Sequence, residues 1–87
     1  MKIKDGYIKS KAYEGWAVAP VGEESKKHII VMLNDTAAEI WDLLCEETTR
    51  EQVVSALAEK YGITTERAEN SVDKVIETLQ KEGILAD

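Results

Sequence analysis

The stretch HIIVMLNDTAAEIW, residues 28–41, decides the fold, because within it the apolar pattern changes from that of a strand to that of a helix. Its first part is a short run rich in β-branched residues, which is typical of a strand and too short for a core helix. Asn34 or Asp35 then offers a side-chain oxygen that can cap a helix. Apolar residues follow at helical spacing: Ala37, Ile40, Trp41 and Leu44. The stretch therefore predicts a strand at 28–33 that leads directly into a helix at 35–46.

Two further strands are predicted before this stretch. GYIKSK at 6–11 alternates loosely, and GWAVAP at 15–20 has strand propensity until its proline, which lacks the amide proton that a ladder needs. VGEESKK at 21–27 contains glycine and charges without periodicity, which indicates a turn. The three strands form an antiparallel meander, and the polar residues 1–5 are expected to be frayed.

A second helix is predicted at 50–61. Thr49 and Gln52 have the spacing of a capping box, and Gly62 is a typical residue to end a helix. The apolar residues that share one side of this helix are Val53, Val54, Leu57, Ala58 and Tyr61. That stripe requires neighbouring elements to cover it.

A third helix is predicted at 65–82, with Thr65 as its cap and Gly83 after its end. Its apolar residues recur at spacings of three and four: Ala68, Val72, Val75, Ile76 and Leu79. Ile84 and Leu85 then return to the core. The pattern as a whole predicts an α+β fold, a three-stranded antiparallel sheet followed by three helices, similar in outline to a winged helix-turn-helix.

The composition fits one small globular domain over residues 1–87, with 44% apolar and 32% charged residues. Seventeen acidic and eleven basic residues give a formal net charge of −6, which repels phosphate backbones and disfavours binding to nucleic acid. Cys45 cannot form an internal disulfide as the one cysteine. With no signal-peptide pattern and no long apolar span, the expected location is the reducing cytoplasm, away from membranes.

Residues that could carry chemistry are sparse. His28 and Cys45 lie apart, with no second ligand at metal spacing and no base near the thiol, so Cys45 is interpreted as a small apolar helix residue. Consecutive carboxylates such as Glu23 and Glu24 are more simply solvated loop charges than an acid–base pair. The glycines are scattered and form no phosphate-binding loop. The sequence therefore predicts no catalytic residue, metal site or cofactor.

Recognition of another polypeptide is the function that remains. The last strand of a meander, 28–33, presents free amide and carbonyl groups along one side, and an incoming peptide strand could pair there. Its two faces are both apolar, with Ile29, Val31 and Leu33 on one and His28, Ile30 and Met32 on the other. Either the second face lines a groove against the third helix, with Met32 as an adaptable wall, or helices bury both faces.

Several segments resemble the PqqD family, which is named after protein D of pyrroloquinoline-quinone biosynthesis. They are LNDTAAEIW at 33–41, TREQVV at 49–54, Tyr61, and the pattern VxxVIxxLxxxGIL at 72–85. The first segment is the most specific, and the likeness extends over the chain from Gly6 onward. The resemblance implies a three-stranded sheet with three helices and a non-catalytic chaperone or adaptor that recognises ribosomally made, post-translationally modified peptides.

By the same resemblance, such a domain binds the leader of a precursor peptide as an added strand and presents it to a modifying enzyme, often a radical S-adenosylmethionine protein. The peptide would lie beside the third strand, in the groove against the third helix. The implied contact residues are His28, Ile29, Ile30, Val31, Met32 and Leu33 on the strand, and Val72, Val75, Ile76 and Leu79 on the helix, with Asp73 or Lys74 at the rim. Family members often have aromatic or leucine side chains at the positions of Val75 and Ile76, so the resemblance does not fix the size of the pocket or the leader sequence that it accepts.

Two alternatives and one further possibility follow from the same residues. A winged-helix transcriptional regulator would share the fold, but the third helix carries more acidic than basic residues and suits a DNA groove poorly. A protein-interaction domain with another partner would also share it. An open edge strand could in addition pair with a second copy of the chain to give a homodimer.

Overall fold

The computed structural model describes residues 1–22 and 30–86, and within them the chain forms a main sheet, a small second sheet and three helices. The elements in order are β1 (Lys2–Ile3), β2 (Tyr7–Ala12), β3 (Gly15–Pro20), β4 (Val31–Leu33), α1 (Asp35–Leu44), α2 (Arg50–Tyr61), α3 (Thr65–Lys81) and β5 (Leu85–Ala86). The predicted α+β class, with a three-stranded antiparallel sheet and three helices, is confirmed.

The main sheet is an antiparallel meander in the order β2-β3-β4. Val18 pairs with Lys9 on one side and with Val31 on the other, so one face of the sheet brings Val18, Val31 and Leu33 to the core. The opposite face carries exposed apolar residues, among them Ile8 and Met32. This division follows from the alternation of side chains along each strand.

Within the described residues, β4 covers the last three positions of the predicted strand at 28–33. It begins at Val31, and Ile30 precedes it without strand pairing. His28 and Ile29 lie outside the described residues, as does most of the predicted turn at 21–27. Val31–Leu33 pair with Val18–Trp16, which fixes the register of β4 against β3.

Two of the helix caps are residues that the sequence predicted, and the third is not. Of the two candidates for α1, Asn34 is the cap, its side chain accepting a hydrogen bond from the Ala37 backbone N–H at 2.8 Å. Thr49 forms the capping box with Gln52. The cap of α3 is Thr64, not Thr65, because Thr64 keeps an extended backbone (φ −66°, ψ 155°) while Thr65 is already helical.

Two helix-surface assignments from the sequence are also wrong. Tyr61, placed on the buried side of α2 by its spacing, is 44% exposed, because it is the final residue of the helix and extends beyond the elements that cover the stripe. Cys45 is exposed rather than packed in α1, because that helix ends at Leu44 and leaves Cys45 at the cap position.

Residues 1–5 are ordered by pairing with the other end of the chain and are not frayed. β1 pairs antiparallel with β5, so that Ile3 lies opposite Leu85 and both are buried. The Lys4 N–H donates to the Ile84 carbonyl at 2.8 Å. Local pattern could not show this pairing, because its partners lie at opposite ends of the sequence.

The core lies between the main sheet and the three helices. Its most deeply buried large side chains come from all layers: Val18, Ile40, Leu44, Val53, Leu57, Val72, Leu79 and Ile84. A screen of the described residues finds no helix with the length and apolar character needed to cross a membrane.

Candidate functional site

A cleft of about 330 Å³ lies between β4 and α3, with the start of α1 as its floor. The strand side contributes Met32, Leu33 and Asn34, and the floor contributes Thr36, Ala37 and Ile40. The α3 wall consists of Ser71, Lys74, Val75 and Thr78. The strand-to-helix stretch at 28–41 thus supplies two of the three sides.

The strand wall alternates between core and solvent. Val31 and Leu33 are 8% and 6% exposed, whereas Met32 is 60% exposed and Ile30, just before the strand, is 69% exposed. Helices therefore do not bury both faces, which settles a question that the apolar pattern left open. One face holds the strand to the core, and the other leaves a flexible thioether beside the cleft.

The outer edge of β4 is the second feature of this site. In the part of the chain that the structure describes, β4 pairs with β3 along one edge and has no strand along the other. An unpaired edge presents backbone N–H and C=O groups that can form a further ladder. Since the cleft lies between this strand and α3, the edge and the apolar lining can act on the same ligand.

The predicted residues of α3 divide between core and cleft. Val72 and Leu79 are fully buried, and Val75 and Ile76 are each 8% exposed. Of these four, only Val75 lines the cleft. The others attach α3 to the core, because their positions lie along the middle of its apolar stripe.

The two rim candidates lie on opposite sides of that stripe. Asp73 faces α2, where the Arg50 Nε donates to its Oδ1 at 2.6 Å and the Arg50 Nη2 to its Oδ2 at 2.9 Å. Hydrogen bonding to the guanidinium lowers the pKa of Asp73. Lys74 lines the cleft instead. Successive helical residues are about 100° apart, which is enough to separate these neighbours.

Sequence reasoning missed the polar lining of the cleft. Ser71 and Thr78 lie three residues before and four residues after Lys74, on the same side of α3, and Asn34 and Thr36 lie at the start of α1. The helical spacing around Lys74 could have identified the first two. The floor could not be identified in this way, since it depends on how α1 packs against α3.

Cys45 and His28 are the two residues that the sequence offered as a nucleophile or a metal ligand. Burial first, and the nearby Asp42 carboxylate second, raise the pKa of the Cys45 thiol, which disfavours the nucleophilic thiolate. No group of three or more His, Cys, Asp and Glu side chains with metal-binding geometry occurs within residues 1–22 and 30–86. His28 lies outside those ranges.

Comparisons with known proteins agree with this architecture. A solved structure of TbiB1 in complex with the TbiA(beta) leader peptide superimposes with a TM-score of 0.74 at 21% sequence identity, over 100% of both chains, and so shares the fold. A search of curated proteins gives no match. The sequence profile described as coenzyme PQQ synthesis protein D (PqqD) matches residues 21–85, three quarters of the chain. The chain therefore belongs to the PqqD family.

Proposed function

We propose that this protein is a peptide-binding adaptor that holds the leader of a ribosomally made precursor as an added strand beside β4. The observation that carries the proposal is the unpaired edge of β4 next to the cleft against α3, within the described residues. Family membership and a shared fold with a protein solved with a leader peptide support it. The bound precursor is presented to a modifying enzyme, for which a radical S-adenosylmethionine protein is our first candidate.

The energetics require both parts of the site. A main-chain hydrogen bond contributes about 0.5–1.5 kcal/mol net, so the few bonds that a strand as short as β4 can form supply only part of the roughly −8 kcal/mol of micromolar binding. The remainder must come from side chains that enter the cleft. Met32 and the partly exposed Ala37 offer most of the apolar surface for them, and Val75 adds a small exposed part.

The binding mode can be tested with a synthetic peptide taken from a short open reading frame next to the gene. Each backbone amide is methylated in turn, and affinity is measured by isothermal titration calorimetry. We expect losses at alternate positions only, because successive N–H groups of a strand point to opposite sides and only one set faces β4. A methylation profile without this alternation contradicts strand addition.

A pair of variants tests the location. Met32→Ala should weaken binding about fivefold to tenfold, by loss of cleft contacts, with the free energy of unfolding nearly unchanged. Ile8→Ala is the matched control, since Ile8 is also apolar and exposed on the same face of the main sheet but belongs to β2. Equal losses for the two variants would place the peptide elsewhere, and tight binding to duplex DNA without peptide binding would favour the winged-helix regulator.

A further inference from the structure

Lys74 is a cation that lines the cleft. Arg50, Lys9 and Lys60 each form a salt bridge with a carboxylate. Lys74 forms none with a residue that the structure describes, although Glu77 follows one turn later on the same helix. Other cations, such as Lys2, Lys11 and Lys81, also form no salt bridge in the part of the chain that the structure describes, but Lys74 differs from them because it lines the cleft.

The surroundings of Lys74 suit an acidic ligand group. Ser71 lies one turn before Lys74 and adds a hydroxyl group to the same wall, whereas the Thr78 hydroxyl, one turn after it, donates to the Lys74 carbonyl at 2.9 Å. Val75 and Met32 make the adjacent lining apolar. A peptide that fills the cleft excludes water from this wall, and a charge pair there is screened less than one on the open surface.

We propose that the bound peptide carries an Asp or Glu that pairs with Lys74, two positions from an apolar residue that packs against Val75. This inference rests on the proposed function and specifies its ligand. From Ser71 to Thr78, α3 rises about 10 Å, which matches about three residues of an extended strand. Side chains at positions i and i+2 of a strand point to the same side, so the cleft admits two of them: one acidic and one apolar.

The test is selection of a phage-displayed library of random decapeptides on the full-length protein, in parallel with its Lys74→Glu and Lys2→Glu variants. We expect wild type and Lys2→Glu to enrich peptides with an acidic residue two positions from an apolar one. Lys2→Glu is the control because it makes the same change in net charge at an exposed residue of β1, which does not line the cleft. Lys74→Glu should lose this preference and enrich Lys or Arg at the acidic position.

Calorimetry on the enriched peptides completes the test. Lys74→Glu should weaken the acidic peptide about tenfold, and replacing the acidic residue by lysine should recover most of that loss. Peptides that bind without an acidic preference, or whose preference survives Lys74→Glu, overturn this inference and leave the proposed function standing. Failure of all three proteins to enrich any peptide overturns both. Circular dichroism confirms that each variant is folded.

Discussion

The two flanks of α3 differ although they belong to one helix. On the flank toward α2, Arg50 forms salt bridges with Glu69 and Asp73 and ties the two helices together. On the flank toward β4, Ser71, Lys74 and Thr78 border an open cleft, and Lys74 pairs with no carboxylate of the described residues. The charges of one flank are therefore paired within the domain, while the other flank borders the cleft.

The apolar stripe between these two flanks fixes the position of α3 on the core. Val72 and Leu79 are fully buried and fix the helix on the core, so neither flank depends on a ligand for its position. A binding surface on a rigid element loses less conformational entropy when a ligand binds. The buried stripe and the salt bridges on the flank toward α2 hold α3 to the domain, while the flank toward β4 borders the cleft.

We expect the largest effect on the free energy of unfolding from a substitution in the buried apolar stripe of α3, compared with one on its flank toward β4. Leu79→Ala should lower the free energy of unfolding by about 2–5 kcal/mol, because it removes a fully buried side chain and leaves a cavity. Thr78→Ala, at the neighbouring position in the cleft wall, should change it by less than about 0.5 kcal/mol. Urea unfolding followed by circular dichroism measures both. Similar costs for the two variants would remove the distinction.

We expect a smaller loss of stability from a substitution that displaces β4, the strand across the cleft from α3. A Cβ at Gly15 would lie 2.6 Å from the Leu33 carbonyl oxygen, so Gly15→Ala forces the β4 backbone to move and should cost about 1–3 kcal/mol. Because Leu33 also lines the cleft, the same substitution should weaken peptide binding. Thermal unfolding and calorimetry provide the two measurements.

Gly62→Ala is the control for this prediction. Its φ of +60° makes alanine unfavourable by about 1–2 kcal/mol, but a Cβ there meets no atom within 4 Å. It should therefore lower stability and leave peptide affinity unchanged. If both glycine variants weaken binding to the same degree, the loss at Gly15 reflects general destabilisation and not a displaced β4.

We expect the smallest effect on stability from the ion pair between Arg50 and Asp73, on the flank of α3 toward α2. Arg50 lowers the folded-state pKa of Asp73 below its unfolded value, so the ion pair stabilises the fold at neutral pH and loses this contribution as the pH falls through the lowered pKa. Asp73→Asn should thus reduce stability slightly at pH 7, and the difference from wild type should vanish in acid. The effect is small because the pair is exposed.

A titration of the Asp73 carboxyl by NMR checks the cause. Arg50→Met should raise its pKa back toward the ordinary value of an aspartate, because the hydrogen bonds that lower it are lost. Lys81→Met, a change of the same type in the last turn of α3, should leave it lowered. A low pKa that persists without Arg50 would show that another group holds it.

Local sequence signals predicted the helices well for identifiable reasons. Thr49 with Gln52 and the glycine at 62 mark the ends of α2 by hydrogen bonds between near neighbours, and such signals are visible in the chain itself. Ile30 was predicted within the third strand and has no strand partner among the described residues, because an apolar run does not show which of its residues are paired. The pairing of β1 with β5 was missed for the same reason, since ladders between distant segments leave little trace in either one.

The candidate site was predicted in outline and altered in detail. A cleft lies between the strand and the helix that were named from the sequence, but whether a peptide binds there and contacts the named residues stays a prediction. The spacing of apolar residues identified the buried stripe of α3 but could not distinguish its two flanks. Asp73 and Lys74 were therefore predicted as alternative rim residues. The contacts of Arg50 distinguish them.

The sequence by itself determined the order of the main-sheet strands and the three helices, the cap of α2, two candidates for the cap of α1, and the family, because each depends on residues close together in the chain or on a motif within it. Only the tertiary structure decided which face of β4 is covered, which flank of α3 is open, and that Lys74 lies in the cleft. Those features arise where β4, α1 and α3 meet. Their relative orientation is set by packing of the shared core, which no local pattern encodes.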